Sequence, residues 1–218
     1  MKPKQKSLYA SLLCLTAFVL WTILVQFADV RPIGPQGFSV GFSALNGWFH
    51  HLTGVHMALY TITDWLGLVP IGVAAGFGAL GLIQWIQRKS LLKVDKSLFV
   101  LGGFYLAVGA TFLLFEVLAV NYRPVLIEGR LEASYPSSTT LLVMCVMPTA
   151  AMQLWDRIRM SRPRICMTVV IGGFTAFMVI GRLISGVHWL TDIVGGGLLS
   201  MGLVLMYRYI CGLVDERN

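Results

Sequence analysis

Six apolar stretches separated by short polar or basic connections set the pattern of this chain. A membrane span needs about 20 mostly apolar residues. The stretches fall at residues 8–27, 56–85, 97–121, 139–155, 165–184 and 190–211, and each predicts a transmembrane helix. The first follows Lys2, Lys4 and Lys6, as a cleaved signal peptide would. It is long for that role, and no small-residue cleavage site follows it, so it reads as a retained helix. Residues 29–55 are mixed, with Arg31, Pro32, Pro35, Trp48, His50 and His51. They predict an external loop holding a short interfacial helix. Asp64 lies near the outer end of the second span, where a helix cap and a headgroup contact are both open. A polar stretch, residues 122–138, divides the third span from the fourth. The expected fold is all-α: one polytopic six-helix bundle over residues 1–218.

Composition agrees with the pattern. Of the 218 residues, 56% are hydrophobic and only 12% charged, about half the charged fraction of an ordinary soluble domain. The net charge of +7 does not point to nucleic acid, because the cations cluster between apolar runs, where topology is set. Those clusters are the amino terminus, the loop at residues 88–96, and Arg157, Arg159, Arg162 and Arg164. Six spans put both termini and both basic loops on one side. The expectation is an inner plasma membrane protein with cytoplasmic termini, and residues 122–138 and 182–192 at the outer face. Cys14, Cys145, Cys166 and Cys211 fall in apolar runs and read as small buried hydrophobes, since their spacing matches no zinc motif. Span glycines such as Gly72, Gly76, Gly102, Gly103, Gly195, Gly196 and Gly197 read as close helix contacts.

The stretch from Gly181 to Asp192 carries the chemistry. Ionisable groups at membrane depth are costly and usually functional. In a helix, His188 and Asp192 would lie one turn apart on one face. A carboxylate there can hold one imidazole nitrogen and leave the other to attack. Arg182 supplies a permanent planar cation suited to phosphate. A purely structural His–Asp pair is the competing reading, as is a snorkelling role for Arg123 and a helix cap for Ser137. His50, His51 and His56 read as interfacial rather than as metal ligands.

Three outer clusters, Tyr122-Arg123-Pro124, Tyr135-Pro136-Ser137-Ser138-Thr139, and Arg182 through His188 to Asp192, together resemble the signature of the type 2 phosphatidic acid phosphatase superfamily. Order and spacing fit from about residue 98 onward, with the motifs between 116 and 192. The resemblance implies a phosphate pocket at the outer face of the bundle. It implies His188 as nucleophile, forming a phosphohistidine that water hydrolyses, and Asp192 as its orienting partner. It implies Arg123, Arg182 and Ser137 as phosphate ligands, with the backbone amides of Ser138 and Thr139 facing the anion. It implies a lipid phosphate substrate and no cofactor or metal, the arginines supplying positive charge. Oligomeric state is not legible.

The chain departs from that signature at four positions, one of them Ser138 in place of the second motif's glycine. Gly181 replaces a serine in the third motif. Glu116 stands where the first motif has lysine, and Arg130 is the cation in reach to restore the charge. Thr139 stands where the second motif has the histidine that protonates the leaving group, with Glu128 or Glu132 as alternative acids. General acid help is worth about 10²–10⁴-fold, so its absence favours a leaving group that departs as an anion. That suggests a lipid diphosphate, such as a polyprenyl diphosphate. A lipid phosphotransferase and a non-catalytic lipid-phosphate binder or transporter are the alternatives. A vanadate-dependent oxidase does not suit so hydrophobic a chain.

Overall fold

The computed structural model describes residues 3–158 and 160–215. Lys2 and Arg159, two of the cations in the charge pattern, lie outside the described residues. The described chain runs through α1 (Pro3–Phe27), α2 (Ser43–Thr53), α3 (Met57–Leu66), α4 (Leu68–Arg88), α5 (Lys96–Leu118), α6 (Ser138–Arg157), α7 (Ser161–Ile184) and α8 (Leu190–Asp215). Only isolated bridges replace strands among these residues. Six segments are long and apolar enough to cross a membrane: Lys4–Phe27, Met57–Arg88, Lys96–Leu118, Ser138–Arg157, Ser161–Ile184 and Leu190–Val214. The protein is a multi-pass membrane bundle, and each predicted span is present. Residues 29–55 contain one short α-helix, α2.

The second span differs from expectation, being two helices, α3 and α4, that meet at Gly67. The Gly67 N–H bonds the Thr63 and Asp64 carbonyls. Pro70, in the first turn of α4, has no N–H to offer the Leu66 carbonyl, so the helical ladder is interrupted there.

The most buried helix is α6. It has the lowest mean hydropathy of the six spans, 1.3, yet half of its apolar window is buried, against 6–22% for the others. Thr140 and Thr149 are fully buried on it, and Gln153 nearly so. It packs against α7 and α8, while α1 lies along α8. One apolar cluster joins Phe18 and Val25 of α1 to Val108, Tyr135, Leu141, Cys145 and Leu199. A second joins Val143, Met147 and Met178.

Two sequence expectations need correction. Of the span glycines named above, only Gly195 and Gly196 are tight contacts: a Cβ would come within 2.6 Å of the Tyr135 ring and 3.2 Å of Thr140. The others meet nothing within 4 Å, as suits helix faces turned toward lipid. Of the cysteines only Cys145 is buried, while Cys166 is exposed on α7 and all four are free thiols. Hydrophobic side chains need no burial in protein where the solvent is lipid.

Three connections meet at one end of the bundle. The Trp189 indole donates to the Tyr122 carbonyl at 2.8 Å, and Asn46 of α2 donates to the Thr191 hydroxyl at 3.0 Å. The His56 N–H bonds the Ser185 carbonyl at 2.9 Å. The polar stretches 122–138 and 182–192 therefore lie together, with the loop before α3 packed on them.

Candidate active site

His188 is not on a helix. It lies in the turn between α7 and α8, which begins at Leu190. The expected one-turn helical spacing to Asp192 is thus replaced by a capping arrangement. Asp192, in the first turn of α8, reaches back to accept the Trp189 N–H at 2.9 Å, as an acidic side chain near a helix start can do. The same oxygen stands 3.6 Å from His188 Nδ1, a charge contact too long for a hydrogen bond. Gly186 shapes the turn. Its φ is +71°, and a Cβ there would lie 2.0 Å from the Gly54 carbonyl oxygen.

His188 and Asp192 are both buried. Burial is the main force pushing the His188 imidazole well below its ordinary pKa. The charges of Arg123 and Arg182 push the same way, and the Ser134 backbone pushes against them. At neutral pH the ring is uncharged and carries a lone pair, as a nucleophile requires.

The polar stretch before α6 folds as a small hairpin, with Tyr122 facing Ala133 and a turn between Ile127 and Arg130. Its register sets Arg123 opposite Glu132: the Arg123 N–H bonds the Glu132 carbonyl, and Arg123 Nε lies 3.0 Å from the Glu132 carboxylate. Arg182, on the last turn of α7, is buried. Its Nε and Nη2 donate to the Thr139 hydroxyl at 3.0 and 2.7 Å, and Nη2 also to Asp64 at 2.7 Å. Both guanidinium carbons approach the Tyr60 ring, at 4.9 Å for Arg182 and 5.7 Å for Arg123.

Ser137 caps α6, its hydroxyl 3.5 Å from the Thr140 N–H, and its own N–H bonds the Asp192 carbonyl. The cap ties the second cluster to the third. Ser138 opens α6 beside Thr139. Both histidine nitrogens, Asp192 Oδ1 and Arg123 Nη1 are buried with no hydrogen-bond partner. Buried polar groups are seldom left this way without a missing ligand or water.

Two expected residues lie apart from this group. Arg130 is exposed on the hairpin turn, so the loop does not fold inward to return a cation. Glu116 is exposed on α5, where it borders a small recess with Ser134, Tyr135 and Ser138. It forms no ion pair among the described residues.

Sequence reading missed Tyr60, Asn46, Asn121 and Ser134, and left Asp64 undecided. Asp64 had a signal: it is the sole acidic residue in Met57–Arg88, and Tyr60 stands one turn before it on the same face. Asn121 and Ser134 are buried and face each other, the Ser134 N–H bonding the Asn121 carbonyl at 2.9 Å, and Asn121 Nδ2 and Ser134 Oγ have no hydrogen-bond partner. His50 places Nε2 3.2 Å from the Gly186 carbonyl. Among the described residues no cluster of His, Cys, Asp or Glu is placed to share a metal ion. Two roomier hollows, of about 560 and 620 Å³, lie between α4 and α5 and between α6 and α7. Both are lined almost wholly by apolar side chains and contain none of the polar cluster.

The bundle and this cluster define a polytopic membrane protein with a buried His–Asp pair beside two arginines. Residues 109–213, which hold the three motif clusters, match the family model of the PAP2 superfamily. A solved transmembrane PAP2-type phosphatidylglycerolphosphate phosphatase from Bacillus subtilis is similar in fold. Its TM-score is 0.58 at 19% identity, over 96% of this chain and 98% of that one. No curated protein sequence matches the chain.

Proposed function

We propose that the protein is a lipid phosphate phosphatase working through a phosphohistidine. The observation that carries this reading is the group of unpartnered buried atoms: both His188 nitrogens and Arg123 Nη1, beside the Arg182 guanidinium. A phosphoryl group satisfies the arginine donors and meets the His188 lone pair. Phosphoryl transfer depends mostly on positioning and charge stabilisation, which such a group supplies.

In this mechanism Nδ1, facing Asp192, keeps its proton, and Nε2 attacks phosphorus. The N–P bond forms as the bond to the lipid oxygen breaks, and the lipid fragment leaves with that electron pair. Asp192 balances the positive charge that appears on the ring. Water then attacks phosphorus, orthophosphate departs, and the neutral imidazole returns. Arg123 and Arg182 hold the phosphoryl oxygens, and Ser137 with the Ser138 amide faces the anion at the start of α6.

Thr139 is engaged by Arg182 and offers no titratable proton. The substrate of choice is therefore a lipid diphosphate, whose leaving lipid phosphate departs unprotonated. The basic clusters support cytoplasmic termini in the plasma membrane and a site at the outer face. The whole chain acts as one domain, since Tyr60 and Asp64 precede the family segment.

The test is phosphate release by the purified protein across a panel of lipid monophosphates and diphosphates, with His188→Ala as control. Loss of release in that variant, and diphosphate turnover about tenfold or more above monophosphate, are the expected results. Unchanged release in His188→Ala refutes the mechanism, and equal turnover of the two substrate classes refutes the diphosphate preference. Label trapped on His188 that decays in water supports hydrolysis; decay only with an acceptor lipid makes the protein a phosphotransferase.

A further inference from the structure

Each buried arginine of the site already carries a carboxylate. Glu132 is 3.0 Å from Arg123, and Asp64 is 2.7 Å from Arg182. In each pair the cation is inside and the anion outside: the side chains are 10% against 39% exposed, and 2% against 56%. Arg182 is the more committed of the two. Its Nη2 has two hydrogens, and Asp64 and Thr139 take both. Nε is also held by Thr139, and Nη1 has only a 3.5 Å contact with the Tyr60 carbonyl. An incoming phosphoryl oxygen gains the Nη2 hydrogen of Arg182 that Asp64 holds only as Asp64 gives it up.

Asp64 occupies a second position as well. With Ser138 and Thr139 it supplies the polar part of the lining of a cavity of about 400 Å³, whose walls include Leu68, Val108 and Phe112. The cavity borders the phosphate site, since Thr139 and Asp64 line it and both are bonded to Arg182. Its chemistry suits the hydrocarbon chain of the molecule whose phosphate meets the arginines.

We propose that Asp64 is a specificity-determining residue: the exchangeable counter-ion of Arg182, released when a substrate chain fills the adjoining cavity. The inference rests on the phosphate-site reading and adds to it a selection for lipid over soluble phosphates. A chain entering the cavity strips water from the Asp64 carboxylate. A desolvated charge is costly, so the carboxylate moves to the solvent it already half occupies. The phosphate of the same molecule takes its place, and Arg182 is never left buried and unpaired. A phosphate without a chain exchanges one anion for another with nothing to displace Asp64. The coupling is a free energy shared by two sites and is reciprocal: chain binding strengthens phosphate binding, and the reverse.

The test uses the full-length protein in detergent micelles, as wild type and Asp64→Asn. KM is measured for dodecyl and ethyl members of one phosphate or diphosphate series, and Ki for orthophosphate. Asp64→Asn is expected to lower the ethyl KM and the orthophosphate Ki about tenfold while the dodecyl KM moves by less than about threefold, so that discrimination collapses. An unchanged ratio, or equal weakening of both substrates, makes Asp64 a positioning group for Arg182 and overturns the proposal. Should Asp64→Asn fail to fold, the wild type still decides. Dodecanol is then expected to strengthen orthophosphate inhibition several-fold, and independent action of the two refutes the coupling. Failure of the phosphate-site reading has a separate sign, wild-type turnover that survives His188→Ala.

Discussion

Asp192→Asn separates the two tasks of that side chain. Asp192 accepts the Trp189 N–H at 2.9 Å and stands 3.6 Å from His188 Nδ1, with its other oxygen unpartnered. Asparagine keeps an oxygen for the Trp189 N–H and loses the charge. A hydrogen bond to a charged group is worth about 1.5–3 kcal/mol and a neutral one about 1 kcal/mol, so the cap loses about 1 kcal/mol. Against this, the fully buried carboxylate no longer has to be desolvated, which offsets some or all of that loss. The net change in stability is therefore within about 1 kcal/mol, a shift of a few degrees in Tm for a chain of this size. Activity should fall much further, because the positive charge that forms on His188 loses its counter-ion and Nδ1 loses the group that orients its proton. The expected fall in kcat is about 10²–10⁴-fold. Asp192→Leu is the contrast, leaving the Trp189 N–H buried without an acceptor at a further cost of about 1–3 kcal/mol. Thermal unfolding and phosphate release on the same preparations make the measurement. Retained activity in a folded Asp192→Asn protein refutes the orienting role, and unfolding of that variant shows the role to be structural.

Four further outcomes are expected. Burial and two cations hold the His188 pKa well below about 6.5, so the acid limb of kcat/KM should lie below that pH, and Arg123→Met should move it upward; a downward move contradicts the assignment. By the same linkage, the neutral folded His188 contributes stability that is fully present above about pH 6.5 and is lost as pH falls toward the folded value, which unfolding midpoints against pH will follow. Asn46→Ala strands the Gly41 carbonyl and both Thr191 groups that Asn46 binds, and should destabilise by about 2–4 kcal/mol, read from thermal unfolding. Gly186→Ala meets the Gly54 carbonyl at φ +71° and should cost more than about 2 kcal/mol, with a parallel loss of turnover.

Hydropathy located the spans because lipid demands long apolar helices whatever they touch. It was blind to the break at Gly67, since α3 and α4 are equally apolar on both sides of it. Arg182, His188 and Asp192 stood out as ionisable groups at a membrane boundary, and Arg123 and Ser137 through the motif resemblance. What Thr139 does was not legible. Its role is to accept from Arg182, which depends on an inter-helix approach that no spacing encodes. Tyr60, Asn46 and Asn121 were missed for the same reason, as tertiary partners drawn from segments without a motif. Arg130 failed as a substitute cation because the hairpin register buries Arg123 and turns the tip outward.

The low hydropathy of α6 bears on how the protein is made. A span with Thr140, Thr149 and Gln153 on its sides partitions poorly into lipid by itself. Its polar faces are covered in part by α5, through Tyr105 and Ser97, and for the most part by helices that come later in the chain, α7 and α8. During synthesis, α6 must therefore wait at or near the insertion machinery until its partners emerge, while α1 and α5 can enter the bilayer independently. Biogenesis of this bundle is thus cooperative in its second half, and chains ending before α8 should be poor substrates for membrane integration and good ones for quality control.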